Sequence, residues 1–74
     1  MKKVQFRIRR SPLDVRSNFQ WHYTYNEVYK KKTEASDFLN LLADNFSADG
    51  HNIERHEDYF IDHTTQCKTE ILVF

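Results

Sequence analysis

The sequence is poor in the residues that break or staple a chain: it holds one glycine, one proline and one cysteine among 74 residues. A single cysteine cannot form an internal disulfide, which excludes the small secreted scaffolds that depend on such bonds. The shortage of glycine also excludes glycine-rich phosphate-binding loops. These absences favour an intracellular protein, and we expect it to be cytoplasmic.

Long apolar segments are missing as well. No apolar run approaches the roughly 20 residues of a membrane helix, and residues 1–6 alternate instead of forming a signal-peptide core. We therefore expect no membrane partner. Since 39% of the residues are apolar and 15% aromatic, the chain is not of the disordered class. Its length predicts a single domain over residues 1–74.

The formal net charge of zero conceals two halves of opposite sign. Residues 1–32 hold nine basic and two acidic side chains, whereas residues 33–74 hold two basic and nine acidic ones. Opposed halves either neutralise each other within one sheet or present two faces to partners. The sequence leaves both interpretations open.

Four segments predict β-strands. Residues 2–9 and 19–30 alternate apolar and polar side chains, which is typical of half-buried strands. Residues 52–62 and 67–74 predict a second strand pair joined by a short turn. The alternation breaks within 52–62, and we expect a bulge near Glu57 to restore the register.

Between the strand pairs the period becomes helical, and we predict one helix over residues 34–48. We expect Thr33 or Ser36 to cap its N-terminus and Gly50 to end it in a left-handed conformation. Its apolar stripe consists of Ala35, Phe38, Leu39, Leu42 and Phe46.

The resulting order ββαββ predicts a two-layer α+β sandwich. Its sheet would be four-stranded and mainly antiparallel, in the order 2-1-3-4, with one helix on one face. The predicted core comprises Val4, Phe6, Ile8, Trp21, Tyr23, Phe38, Leu39, Leu42, Phe46, Ile53, Ile71 and Val73. On the other face we expect cross-strand ion pairs between two sets of residues. These are Lys3, Arg7 and Arg9 on the first strand and Glu54, Asp58 and Asp62 on the third.

Residues that bind metals or act as nucleophiles are present but poorly spaced. The candidates are His51, His56, His63 and Cys67, which form no paired zinc motif. Cys67 is in phase with Ile71 and Val73, so we interpret it as a small core residue rather than a nucleophile. We expect no metal, no cofactor and no enzymatic activity.

Protein binding is the function that the pattern favours. Phe60, Leu72 and Phe74 would form an exposed apolar cluster on the open sheet face, as interfaces do. Tyr29 belongs to a long aromatic segment that we place at the sheet edge, where another chain could pair. The opposed charge halves also suit a homodimer.

The alternative is binding of RNA or single-stranded nucleic acid by the basic half. Phosphates are neutralised by lysine and arginine side chains, and aromatic residues stack on bases. The candidate residues are Arg10, Arg16, Lys30, Lys31 and Lys32. Aromatic residues that lie under the helix cannot also stack on bases, and no known RNA-binding motif is present.

In style the chain resembles the small early or accessory proteins of tailed phages. It shares with them its shortness, its few Gly and Pro residues, and its many Lys, Asn, Asp, Phe and Tyr residues. The resemblance implies a protein that blocks a host enzyme or a defence factor stoichiometrically in the host cytoplasm. It covers the whole chain and carries no residue assignments.

Overall fold

The computed structural model describes residues 4–13 and 22–74. Its elements in chain order are β1 (Phe6–Pro12), β2 (Tyr23–Thr24), α1 (Lys32–Ala48), β3 (Ile53–Arg55), β4 (Tyr59–Asp62) and β5 (Cys67–Val73). The predicted α+β class is confirmed. The predicted four strands are not, because the described residues form five strands in the order ββαβββ. The helix of this part of the chain does not meet the length and apolarity needed to cross a membrane.

All strand pairs of the sheet are antiparallel, and the strand order is β2-β1-β5-β4-β3. The predicted order 2-1-3-4 is wrong, because the last strand of the chain pairs with β1. β5 pairs with β1 along seven residues, from Phe6 opposite Val73 to Pro12 opposite Cys67. After the helix the chain therefore runs as a meander from the edge inwards, and β5 becomes the central strand.

The predicted third strand is in fact a hairpin. The chain reverses at residues 56–58, where the His56 N–H donates to the Tyr59 carbonyl at 2.9 Å. β3 and β4 then pair antiparallel from Ile53 opposite Asp62 to Arg55 opposite Phe60. The expected bulge near Glu57 is thus wrong, and a complete turn stands in its place.

The helix begins at Lys32, two residues before the predicted start, and ends at Ala48 as predicted. The expected cap at Thr33 or Ser36 is wrong: Lys31 occupies the cap position and no side chain caps it. At the other end Gly50 has φ +92°, which confirms the left-handed conformation.

Two backbone bonds close this end in a Schellman motif. The Gly50 N–H donates to the Ser47 carbonyl and the His51 N–H to the Phe46 carbonyl, both at 3.0 Å. The motif directs the chain back across the helix end and places the His51 ring in a stack on the Phe46 ring, with centroids 5.3 Å apart.

The core lies between α1 and one face of the sheet. Ala35, Leu39 and Ala43 of the helix form a buried cluster with Ile8 of β1 and Phe60 of β4. Around it pack the partly buried Phe6, Tyr25, Tyr29, Phe38, Leu42, Phe46, Ile53 and Ile71. The prediction is confirmed for the whole helix stripe and for the predicted strand residues Phe6, Ile8, Ile53 and Ile71.

Three predicted core residues, Val4, Tyr23 and Val73, are exposed instead. Val4 and Val73 lie where β1 and β5 extend past β4, whose pairing with β5 stops at Tyr59 opposite Glu70. Tyr23 lies in the edge strand β2, where its ring meets Tyr25 edge-on with centroids 4.9 Å apart. The predicted core residue Trp21 lies outside the described residues.

The register divides the sheet into two faces. The helix-covered face carries Ile8, Arg10, Phe60, Asp62, Thr69 and Ile71. We call the opposite side the open face; its side chains alternate with these and belong to Arg7, Arg9, Glu54, Tyr59, Ile61, Lys68, Glu70, Leu72 and Phe74. The helix of the described chain packs on the first face only.

Candidate functional site

The open face combines aromatic and aliphatic side chains on its central strands. Tyr59 of β4 lies opposite Glu70 of β5 and diagonal to Leu72, and Ile61 lies opposite Lys68. Tyr59, Ile61 and Leu72 are half-buried, while Phe74 keeps 61% of its surface exposed. Because folding leaves these groups in contact with water, they are available to a partner.

The Tyr59 ring is held between polar neighbours. The His56 ring stacks on it with centroids 4.4 Å apart and planes 19° apart, and the Lys68 Nζ lies 4.6 Å from its centroid. Stacking and cation–π attraction both fix the ring orientation. The face therefore presents a positioned tyrosine beside Ile61.

Two arginines of β1 form the basic side of the open face. The Arg9 guanidinium lies 3.6 Å from Glu70, and the Arg7 guanidinium lies 5.9 Å from the centre of the Phe74 ring. Among the described residues the Nε atoms of both arginines are buried without a hydrogen-bond partner. Within the described part of the chain the fold therefore leaves one buried donor of each arginine unsatisfied.

The opposite side of this face is acidic and rich in histidine. Glu54 of β3 bonds the Nε2 atoms of His56 and, at 3.1 Å, of His63. The hydrogen bond with His56 has the largest effect and that with His63 the next largest, and both hold the pKa of Glu54 below its usual range. Glu57 and Asp58 are exposed in the adjoining turn. The open face thus changes from basic at β1 to acidic at the β3–β4 hairpin.

A second polar group lies beneath the helix end, around Asp62. Its side chain is fully buried. One oxygen, Oδ2, lies 2.7 Å from His51 Nδ1 and 3.5 Å from Arg10 Nη2. The other, Oδ1, accepts from the Thr64 and Thr65 amides at 3.0 and 3.2 Å.

The Asp62 carboxylate is compensated on both oxygens. Burial is the largest single effect and by itself raises the pKa, but the bonds from His51, Thr65 and Thr64 together outweigh it. The pKa of Asp62 therefore lies below its usual range. Arg10 also covers the Phe46 ring at 4.4 Å and donates to Thr65 Oγ1 at 2.9 Å. Such a fully bonded cluster is a structural clamp between β1, the helix end and the β4–β5 turn.

The predicted protein-binding residues are separated by the fold. Phe60 was expected on the open face, and this is wrong: it lies beneath the helix with 1% of its surface exposed. Leu72 and Phe74 do lie on the open face. Tyr29 is half-buried, bridges to Phe6 of β1 and lies 6.0 Å from the Phe38 ring.

The predicted aromatic edge is shorter than expected. Among residues 22–31 only Tyr23–Thr24 forms a strand, and Tyr29 adds one isolated bridge. The part of the prediction that covers residues 19–21 lies outside the described residues.

The expected ladder of ion pairs is also wrong. β1 lies beside β5, so Arg9 pairs with Glu70, while Asp58 pairs with Lys32 at 2.9 Å and Asp62 turns towards the helix. Lys3 lies outside the described residues.

The nucleic-acid set is not gathered into one surface. Arg10 is committed to the Asp62 cluster with 15% of its side chain exposed, and Lys32 pairs with Asp58. Lys30 and Lys31 are exposed before the helix, and Arg16 lies outside the described residues.

The four candidate metal ligands point to different partners. His51 bonds Asp62, whereas His56 and His63 share Glu54. Cys67 is buried, as the sequence predicts, and its thiol donates to the Thr65 carbonyl at 3.5 Å. Over residues 4–13 and 22–74 no group of three His, Cys, Asp or Glu residues is arranged to hold a metal ion.

Sequence reasoning missed Tyr59 and Ile61 as open-face residues and missed the Asp62 cluster altogether. The sequence analysis did not predict the turn at residues 56–58. With this turn, Phe60 and Asp62 face the helix and Tyr59 and Ile61 lie on the open face. Comparison with family models, with curated proteins and with solved structures finds no match to this chain.

Proposed function

We propose that this chain is a small non-enzymatic binding protein that acts by stoichiometric protein binding through the open face of its sheet. The observation that carries the proposal is the chemistry of that face: Leu72 and Phe74 lie next to Arg7, and Tyr59 and Ile61 lie across β5 on β4, with no helix of the described chain over any of them. Tyrosine, phenylalanine and arginine are the residue types enriched in protein interfaces and their hot spots.

The preference for protein over nucleic acid comes from the charges. An interface for a phosphate backbone is strongly basic. On the open face Glu70 pairs with both Arg9 and Lys68, at 3.6 and 3.7 Å, and offsets one of their two positive charges, while Glu54 adds a second negative charge. Mixed charge around an apolar centre suits a protein surface better than a phosphate chain.

The kind of target follows from the resemblance to small phage accessory proteins. Such a protein occupies a surface of a host enzyme or defence factor and blocks it stoichiometrically. For this mode of action the chain needs a rigid binding face and no catalytic residues. The strands β1, β4 and β5 provide the face as one hydrogen-bonded unit.

A matched pair of substitutions tests the proposal. Phe74→Asp places a charge on the open face, and Leu41→Asp places the same charge on the outer surface of the helix, where Leu41 is 53% exposed. We expect affinity capture from host cells to retain the same partner with the wild type and Leu41→Asp. Capture should fail with Phe74→Asp, since an aromatic residue that acts as a hot spot contributes about 2 kcal/mol or more to binding.

Generic RNA serves as the competing ligand in a mobility-shift titration at low and at high salt. We expect no retarded band. Salt-dependent retardation that Phe74→Asp leaves unchanged would favour the basic half as the working surface and contradict the proposal.

A further inference from the structure

The chemistry of the open face also indicates which partner binds it when no target protein is present. We propose that a second copy of this chain occupies the face, so that the protein is a homodimer with its two sheets packed face to face. The inference rests on the proposed function, because it assigns a partner to the same face. A target protein then competes with the second copy.

Strand order makes the face self-complementary. β5 is central, and β1 and β4 flank it at one strand spacing each, about 4.8 Å. We place a two-fold axis above β5, parallel to the strands and midway between the two sheets. Rotation about this axis puts β1 of one copy over β4 of the other copy. Such an isologous contact repeats each interaction twice.

This rotation brings opposite charges together. Arg7 pairs with Leu72, one residue beyond Ile71, and the Ile71 N–H donates to the Asp58 carbonyl at 3.0 Å. Arg7 therefore lies at the level of the 56–58 turn. In the dimer it comes over the partner's turn, where Glu57 is exposed and Asp58 already pairs with Lys32.

The centre of the contact is compatible with a copy of itself. Towards the C-terminal end of β5 the open-face groups are apolar: Leu72 is half-buried and Phe74 is exposed. Further along the strand the axis brings Lys68 and Glu70 of one copy near the same residues of the other, and each Glu70 already pairs with Arg9 and Lys68 of its own copy. The approach of two β5 strands thus brings apolar groups together at one end and opposes no acid that lacks a basic neighbour.

The size of the face predicts a weak dimer. Five strands span about 19 Å, and the seven residues of β1 or β5 about 23 Å, which gives roughly 400 Å² of flat area per copy. Two such faces total about 800 Å², which is below the roughly 1,000 Å² of a stable interface and in the size range of weak, transient contacts. We expect a dissociation constant on the order of micromolar or weaker, which lets a target displace the second copy.

Sedimentation velocity over a concentration series tests the dimer, with circular dichroism as the check on folding of each variant. We expect wild type and Leu41→Asp to shift from monomer to dimer in the same range. Arg7→Glu and Glu57→Lys should each weaken the dimer about tenfold or more.

Mixing the two charge-reversed variants gives the decisive result. In an equimolar mixture of Arg7→Glu and Glu57→Lys, the two reversed side chains meet and so do the two unchanged ones. We therefore expect the mixture to dimerise at concentrations at which each variant alone is still mainly monomeric.

Two results would overturn the inference. One is a wild type that stays monomeric at every concentration, and the other is a dimer that neither charge reversal weakens or that mixing fails to restore. If the protein is a monomer that still captures its target through Phe74, the homodimer inference is wrong and the proposed function stands. If it is a monomer that captures nothing, both the homodimer inference and the proposed function are wrong.

Discussion

The two faces of the sheet are made from the same strands but are covered differently. On the helix-covered face the exposed fraction is 0% for Ile8 and 1% for Phe60. The buried carboxylate on this face, that of Asp62, is hydrogen-bonded at both oxygens. On the open face Phe74 keeps 61% exposure. Buried polar atoms without a partner among the described residues occur on both faces: Arg7 Nε and Arg9 Nε on the open face and Thr69 Oγ1 on the helix-covered face. The two faces therefore differ in their burial: one holds the fold together, and the other leaves apolar surface exposed.

Neighbouring residues of β4 provide the strongest test of this contrast, since Phe60 and Tyr59 lie on opposite faces. We expect Phe60→Ala to lower the free energy of unfolding by about 3–5 kcal/mol, because a buried aromatic leaves a cavity. This is most of the stability of a small domain. Tyr59→Ala should cost about 1 kcal/mol, the size of a cation–π contact with stacking. Urea unfolding measures both, and equal losses would contradict the assignment of faces.

The buried Asp62 cluster predicts the next largest effect. Asp62→Asn removes the charge that compensates Arg10 and His51, and we expect a loss of about 2–4 kcal/mol. Asp44→Asn is the matched control, because Asp44 also pairs with an arginine, Arg55, but on an exposed surface. There the loss should be about 0–1 kcal/mol. Chemical denaturation compares the two, and similar losses would contradict a structural role for the cluster.

Acid provides a third test of the same cluster. The pKa of Asp62 in the folded protein lies below its unfolded value, so the unfolded state takes up its proton first as the pH falls. The contribution of Asp62 is present above about pH 4, the unfolded pKa, and is lost as the pH falls through the folded pKa. We expect the urea midpoint of the wild type to drop in this window.

Asp62→Asn should flatten that drop, whereas Asp44→Asn should leave it in place. Glu54 also has a lowered pKa and will contribute a part that both variants retain. An unchanged pH profile in Asp62→Asn would show that the cluster is not linked to folding.

The smallest effect on stability belongs to the open face. We expect Phe74→Asp to change the free energy of unfolding by no more than about 0.5 kcal/mol, because the side chain is already exposed. The same substitution should abolish partner binding. A large loss of stability would mean that Phe74 supports the fold rather than a partner.

Much of this fold follows from local patterns. The helical stripe that contains Leu39 and the positive φ of Gly50 were predictable because each depends on neighbouring residues. The buried position of Cys67 followed from its phase with Ile71.

The errors arise where non-local structure decides. The turn His56-Glu57-Asp58 contains no glycine, proline or asparagine, and Asp58 is its single typical turn residue, so the turn signal is weak. A shift of one residue in strand phase exchanges the faces, which is why Phe60 was expected on the open side. The Asp62 cluster joins Arg10, His51 and Thr65 from three distant segments, and no spacing in the sequence indicates it.

Methyl NMR of the protein with and without its captured partner tests the central claim most directly, since each face has its own reporter methyl groups. Binding through the open face predicts that the resonances of Ile61 and Leu72 shift or broaden at one equivalent of partner, while those of Leu41 on the outer helix surface stay in place. The opposite result, in which the Leu41 methyls respond and those of Ile61 and Leu72 do not, would contradict the account.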